Sequence, residues 1–367
     1  MKKGMTIAVA IIVLALVSTA AFATGERSVR KAGGEEVHKT FAGIKSVDIG
    51  TVSGDCVVKT HKSGEVIVDL YYDVEPEGSL EYKMNDRGGK LVLEEDWRNS
   101  RSHSMSGEVV WTLTLPEGMD IEFSTASGDL TLTGPLGDIE ASTASGDISV
   151  TGPVGTVDAS TASGDIEIEN ATGDIDVSTA SGDVTLINVV GKKDVSTASG
   201  DIRIEDSKDD IDLSTASGEI TAKNVEGDME MSTASGEIGI SGAKGAFKLS
   251  CASGEITADE ITIAGESIFS TASGSVRVLL AATSEHDLTL STASGDVILE
   301  YGGNPVKGYF EFEARKRHGR IVSPFDFDNE EEFEQNGDTY VRKSFAVGGK
   351  TPSVFLSTAS GRVELKK

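Results

Sequence analysis

An acidic residue follows a glycine at Asp129, Asp147, Asp165, Asp183, Asp201, Glu219, Glu237 and Glu255, each eighteen residues after the one before. A second series, Glu140, Asp158, Asp176, Asp194, Asp212 and Glu230, keeps the same interval and ends at Lys248. Carboxylates can exchange protons, hold a cation or meet a basic partner. A calcium site needs six or more oxygens converging on one point, and one carboxylate per repeat in each series gives lines rather than a cluster. The repeat-type calcium signature GGxGxD is also absent, because STASGD has one glycine where that motif has three. If successive members sat one strand apart, ~4.8 Å, they would repel by about 0.9 kcal/mol even in water. That distance is inside the ~8 Å Debye length at physiological salt. The first series is therefore a candidate surface-interaction ladder, with weak cation association or a basic partner as its chemistry. The plainer reading, which we prefer, is a solvated face that bonds to corner hydroxyls, keeps the protein soluble and blocks lateral sheet pairing.

Other reactive residues form no constellation. His38, His61, His103, His286 and His318 do not pair at metal-ligand spacing, and HExxH and CxxC are missing. No GxSxG elbow accompanies the many serines. The sequence thus offers no catalytic, metal-binding or cofactor-binding residues. A net charge of −27 argues against nucleic acid, which is gripped by clustered Lys and Arg. The one basic island, ARKRHGR at 314 to 320, precedes the acidic run 325 to 338. It reads as local charge pairing, or as a docking patch for the acidic stripe of another copy.

The spacing of these residues comes from a repeat. The glycine of each SG pair falls at 128, 146, 164, 182, 200, 218, 236 and 254, then loosens to Gly274, Gly295 and Gly361. A fixed period near twenty marks stacked supersecondary units. Each unit splits into two halves with alternating apolar residues, such as Leu130/Leu132 and Ile148/Val150 in the first half. Ile139/Ala141, Val157/Ala159, Ile175/Val177 and Ile211/Leu213 serve in the second. Period-two alternation is a strand with one buried face. Gly134, Gly152, Asn170, Asn188, Asp206, Asn224 and Gly242 share a column of residues that tolerate left-handed backbone angles. In STASG, the glycine serves the backbone, the alanine is expected to fill a tight interior, and hydroxyls are expected to bond the same residue above and below.

The chain is therefore all-β, a parallel β-solenoid (β-helix) of 18-residue coils with two short strands each, wound right-handed by the general crossover preference. An antiparallel meander of nine-residue halves is the competitor, but it would leave its apolar face uncovered. DIGTVSGDCVV (48 to 58) overlays EASTASGDISV (140 to 150) and puts Cys56 in the inward column of Ile148; Cys251 replaces Thr in SCASG. Positions so many coils apart cannot be bridged, which predicts two free, buried thiols. Aromatics gather at 71 to 111 and after Phe269, as expected of caps that close an open core. STASGRVELKK adds a last strand.

Lys2 and Lys3, an apolar run from Met5 to Val17 and the small residues ending at Ala23 have the layout of a secretory signal. The expected organisation is a signal peptide over 1–23 and a flexible linker over 24–36. An irregular N-terminal β region and cap follow over 37–120, the regular solenoid over 121–300, and a C-terminal cap with an insertion over 301–367.

Recurrent SGD turns behind an export signal, with the start FAGIKSVDIGTVSGD, resemble the bacterial putative-adhesin β-helix family, an exported SGD-repeat domain of unknown function. The resemblance spans roughly 37 to 365 and is strongest from 121 to 300. Its departures are SGS at Ser273–Ser275, SGR at Ser360–Arg362 and the insertion between Gly302 and Lys350. The family motif carries no catalytic or ligand residues. The expected function is a non-catalytic structural or adhesive surface module in the periplasm, on the cell surface or secreted. Its partner would be an unknown surface polymer or protein, with self-association as a further option. The alternatives are a glycan-acting β-helix enzyme and a self-polymerising scaffold.

Overall fold

The computed structural model describes residues 27–31, 33–98 and 106–367, and its regular elements are thirty-four β-strands, with no helix among the described residues. The expected signal peptide lies outside them. Leu130–Thr133 runs parallel to Ile148–Thr151 with Leu130 opposite Ile148, and the same step of eighteen continues to Ile238–Ser241. A second parallel ladder runs from Asp120–Thr125 through Ile139–Thr143 to Phe247–Ser253. Because each strand pairs with the strand one repeat away, a meander is excluded. The alternating aliphatics of both ladders point inward and are buried, and they form one continuous core. The looser spacing after residue 254 is absorbed in Ile256–Ile263, where the register shifts between Ala258 and Ile261 and Glu260 takes φ +54°. Single bridges from Val190 to Lys208, Glu226 and Lys244 begin a third short ladder that the sequence did not suggest.

The corners explain the fidelity of the repeat. The Gly134-to-Gly242 column is left-handed throughout, from Gly152 at +132° to Asp206 at +51°. Asn188 donates to Asn170 at 2.7 Å and Asn224 to Asp206 at 3.0 Å, so amide and carboxylate side chains tie neighbouring corners together. At STASG the expected roles are corrected. The threonine is the inward residue, and the alanine is exposed, because strand alternation carries Thr161 and Thr179 into the core. The hydroxyls do not bond their own kind. Thr179 Oγ1 accepts the Gly182 N–H at 3.0 Å and donates to the Gly164 carbonyl of the preceding coil at 3.4 Å. Cys251 takes over the donor role, with Sγ 3.1 Å from the Gly236 carbonyl oxygen; both cysteines are free and buried. The glycine is required by contact rather than by angle. A Cβ at Gly182 would fall on the Gly164 carbonyl oxygen, far inside van der Waals distance.

Chain order and layer order part company at both ends. The coil formed by Ser46–Gly50 and Asp55–His61 lies between Lys90–Trp97 with Ser106–Pro116 on one side and Asp120–Thr125 with Leu130–Thr133 on the other. Ser353–Lys366 is the last strand of the chain, as expected, but not its outermost layer. It is inserted between Leu288–Ser294 with Val297–Glu300 and Gly308–Arg315 with Gly319–Val322. Gly34–Ala42 pairs with Glu65–Glu75, so regular structure begins inside the stretch expected as a linker. Trp111 and Phe123 fill the first layers, and Phe310, Phe312 and Phe345 pack together at the far end. At the N-terminal end the buried Glu95 carboxylate accepts from the Ser53 N–H (3.2 Å) and from both indoles, Trp97 (2.7 Å) and Trp111 (3.3 Å). Register places it next to the Thr51 position, where a further coil would have supplied its threonine.

Gly182→Ala should cost about 2–4 kcal/mol, because the added methyl must push two coils apart. Ala180→Ser, two residues away but exposed, should stay within about 0.5 kcal/mol. Chemical denaturation of both variants followed by far-UV circular dichroism checks the contrast.

Candidate functional site

All eight residues of the candidate ladder, Asp129, Asp147, Asp165, Asp183, Asp201, Glu219, Glu237 and Glu255, are exposed and lie in one line along the rod. Their first task is structural. Asp129 Oδ1 accepts the Asp147 N–H at 2.9 Å, Asp147 that of Asp165 at 2.9 Å, Asp165 that of Asp183 at 2.8 Å, and Asp183 that of Asp201 at 2.8 Å. Within the eight, the last such bond runs from Glu219 N–H to Asp201 Oδ1 at 2.7 Å, and further along the same column Asp296 Oδ1 accepts the Arg362 N–H at 2.8 Å. These exposed N–H groups sit at the corner, outside the strand ladders, and the carboxylates supply the acceptor that the ladders do not. The partner is thus the next coil's backbone rather than a corner hydroxyl, which corrects the expected pairing. Beyond Glu219 the longer glutamates do not make this contact. The departure at Ser275 keeps it, weakly, through Ser275 Oγ and the Asp296 N–H at 3.3 Å.

A matching series at the opposite corner was missed in the sequence. Asp120, Asp138, Asp174 and Asp228 accept the N–H of Asp138, Thr156, Lys192 and Ala246 at 2.9–3.1 Å. The signal was present as Gly-Asp at 137–138, 173–174 and 227–228.

The second acidic series has no such task. In register with it, Asp48 and Glu122 extend the line upstream, and Lys90 bridges those two at 2.9 and 2.6 Å. At the other end Lys248 pairs with Glu230. Between these lysines Glu140, Asp158, Asp176, Asp194 and Asp212 form no ion pair among the described residues. Partial burial, and then the carboxylates of Asp158 and Asp194, hold the Asp176 carboxyl above its ordinary range. Asp212 is raised in the same way, by partial burial and then by Asp194 and Glu230. Shallow grooves lie between this line and the corner series, about 390 Å³ beside Lys90 and about 280 Å³ between Lys192 and Lys248. Next to the acids runs an unbroken outward row of Ser124, Ser142, Ser160, Ser178, Ser196, Ser214, Ser232, Ser250, Ser270, Ser291 and Ser357.

One break falls in the middle of the rod. Lys193 occupies the inward position held by Ile175 and Ile211 in the flanking strands and is fully buried, and sequence pattern did not single it out. Among the described residues no three His, Cys, Asp or Glu side chains converge as metal ligands would. His38 pairs with Asp69, His61 bonds the Glu65 carbonyl, and His103 lies outside the described residues.

A carboxyl whose folded pKa lies above its unfolded value binds its proton more tightly when folded, so its contribution to stability falls as pH rises through that range. Asp176→Asn should therefore raise the melting temperature at pH 7 by about 1–2 °C. The gain should shrink as wild type is brought to pH 4. Calorimetry of both proteins across that range checks the sign.

Comparison with functionally characterised proteins gives no match. Among solved structures, a putative cell adhesion protein from Clostridium sporogenes is 11% identical, covering 91% of this chain and 99% of its own, with a TM-score of 0.19. A putative adhesin from Bacteroides fragilis is 16% identical over 58% of this chain and 96% of its own, with a TM-score of 0.40. One from Parabacteroides distasonis is 12% identical over 90% of this chain and 98% of its own, with a TM-score of 0.32. The sequence match is more direct, since the model of the Toastrack DUF4097 family covers residues 44–228 and 209–320. The eighteen-residue repeat from Gly128 to Gly254 and most of the stacked strands fall within those residues, and the chain belongs to the Toastrack DUF4097 family.

Proposed function

We propose that this protein is an exported, non-catalytic surface module: a right-handed rod of eighteen-residue coils that presents its serine row and its free acidic line to a surface polymer or protein. The observation that carries this reading is the in-register serine row from Ser124 to Ser357, whose hydroxyls form no hydrogen bond among the described residues. The core needs aliphatics on the inward face but does not need serine on the outward one. Evenly spaced hydroxyls and carboxylates suit a partner that is itself repetitive. The described acids are spread along the rod, as a contact surface would have them, rather than gathered as a pair about one bond. Phe247, the one aromatic between Ser124 and Ile268, is buried, which disfavours sugar stacking on this stretch.

The test is retention of the purified chain on whole cells and isolated surface polymers. Ser178→Arg with Ser196→Arg, both outward, should reduce retention at least tenfold with an unchanged melting temperature. Equal retention of the double variant would overturn the assignment to this face. Release of sugar from a glycan panel would replace the proposal with the enzyme reading.

A second reading, weak self-association, has its own observation. Within the basic island Arg315 pairs with Asp338 at 2.8 Å and Lys316 with Glu332 at 2.6 Å. Arg317 and Arg320 are exposed and are the only arginines among the described side chains without an ion pair. They are complementary to the five unpaired carboxylates of another copy. Exposed ion pairs contribute only about 0–1 kcal/mol each, so association should appear only at high concentration. Sedimentation at 0.1–1 mM protein should reveal oligomers that are lost in Arg317→Glu/Arg320→Glu; monomers throughout would end this reading.

A further inference from the structure

Three irregularities meet within one coil. Lys193 replaces an aliphatic residue in the core and is fully buried, and its Nζ donates to the Lys208 carbonyl at the next corner. An ammonium has three N–H donors, and one backbone oxygen leaves most of that capacity unmet. Ser207 stands in the inward row of Val189 and Val225, 1% exposed, bonding the Glu205 carbonyl at 2.8 Å and the Val189 N–H at 3.2 Å. Asp209 takes φ +73° in a column otherwise filled by glycines such as Gly191 and Gly227. A non-glycine residue there costs roughly 1–2 kcal/mol, offset in part by Asp209 Oδ2 accepting the Gly191 N–H at 3.0 Å.

We propose that the coil spanning residues 191–210 is the built-in opening point of the rod, where local unfolding begins, and that the charge on Lys193 sets how readily it opens. Local stability in proteins is uneven, and segments with poor apolar contact open first. The charged groups nearest the amine are Asp209, Asp210 and Asp174, all at the corners. The inward residues of the strands beside it and across the core, among them Ile175, Ile211, Leu186 and Ile204, carry no titratable group. Burial, opposed by those three carboxylates, lowers the lysine pKa to about 8. An unfolded lysine titrates near 10.4. Between these values the unfolded segment holds the proton and the folded one does not, so stability rises with pH through that window. The penalty is fully present below about 8.

The test is native-state hydrogen exchange of the whole chain, read by mass spectrometry and expressed as protection factors. Peptides covering 184–215 should be at least tenfold less protected than those covering 148–161, and raising the pH from 7 to 9.5 should narrow the gap. Lys193→Met should raise local protection at least tenfold and abolish that pH response. Asp209→Gly should raise protection and leave the pH response in place. Uniform protection along the rod would overturn the proposal, as would a Lys193→Met chain that keeps the weak coil. A Lys193→Met chain that fails to fold would overturn it too, because the amine would then be a requirement rather than a flaw.

Discussion

Backbone passing directly over backbone at the STASG corner is the constraint on which the rest of the rod depends. Each repeat glycine lies so close to the carbonyl of the glycine below that no side-chain carbon fits between them. That contact fixes the rise from coil to coil, and the threonine beside it ties the glycine N–H to its own coil and the carbonyl below to the next. Once the rise is set, the parallel ladders, the aliphatic columns and the superimposed left-handed corners follow from register. Core positions can then vary among Ile, Val, Leu, Ala, Met and Phe, because volume is shared along a continuous column. The corner has no such latitude, so the corner is what repeats.

The same geometry gives the acids two different fates. Where a carboxylate follows the corner glycine, it reaches the next coil's exposed N–H and becomes part of the stacking. Where it stands on the outer face of a strand, it meets its own kind above and below, and at Asp176 and Asp212 partial burial, followed by those neighbours, raises the affinity for a proton. Lysines at the two ends of that line, Lys90 and Lys248, limit the accumulated repulsion. An acidic series in a repeat is therefore ambiguous until its position relative to the corner is known.

That ambiguity marks how far the sequence could be read. Period, strand alternation, inward columns and the left-handed corner column were legible, because each is a pattern along the chain. The direction of the STASG threonine and alanine was not, because the phrase reads whole as a corner, whereas the strand's alternation runs on through the threonine before the corner begins. Lys193 escaped notice because a single charged residue in a long, mostly apolar column does not disturb the pattern. The place of Ser353–Lys366 was also hidden, since a strand that matches the repeat can occupy any layer. The Glu95 cluster depends on a carboxylate and two indoles brought from separate strands, a juxtaposition no spacing announces.

The insertion of Ser353–Lys366 between earlier and later layers has a consequence for how the molecule comes apart. In a simple stack the final turn can peel away alone, and the rest can follow like an unwinding spring. Here Gly308–Arg315 with Gly319–Val322 lies outside it, and Gly308–Arg315 is in turn covered by Asp338–Val347, which pairs with Asn329–Gln335, so these must be stripped off before the wedged strand is free. The Ser46–His61 coil is enclosed in the same way at the other end. Each extremity is thus latched by a piece of chain from elsewhere in sequence, and fraying is pushed away from the tips toward the interior of the rod.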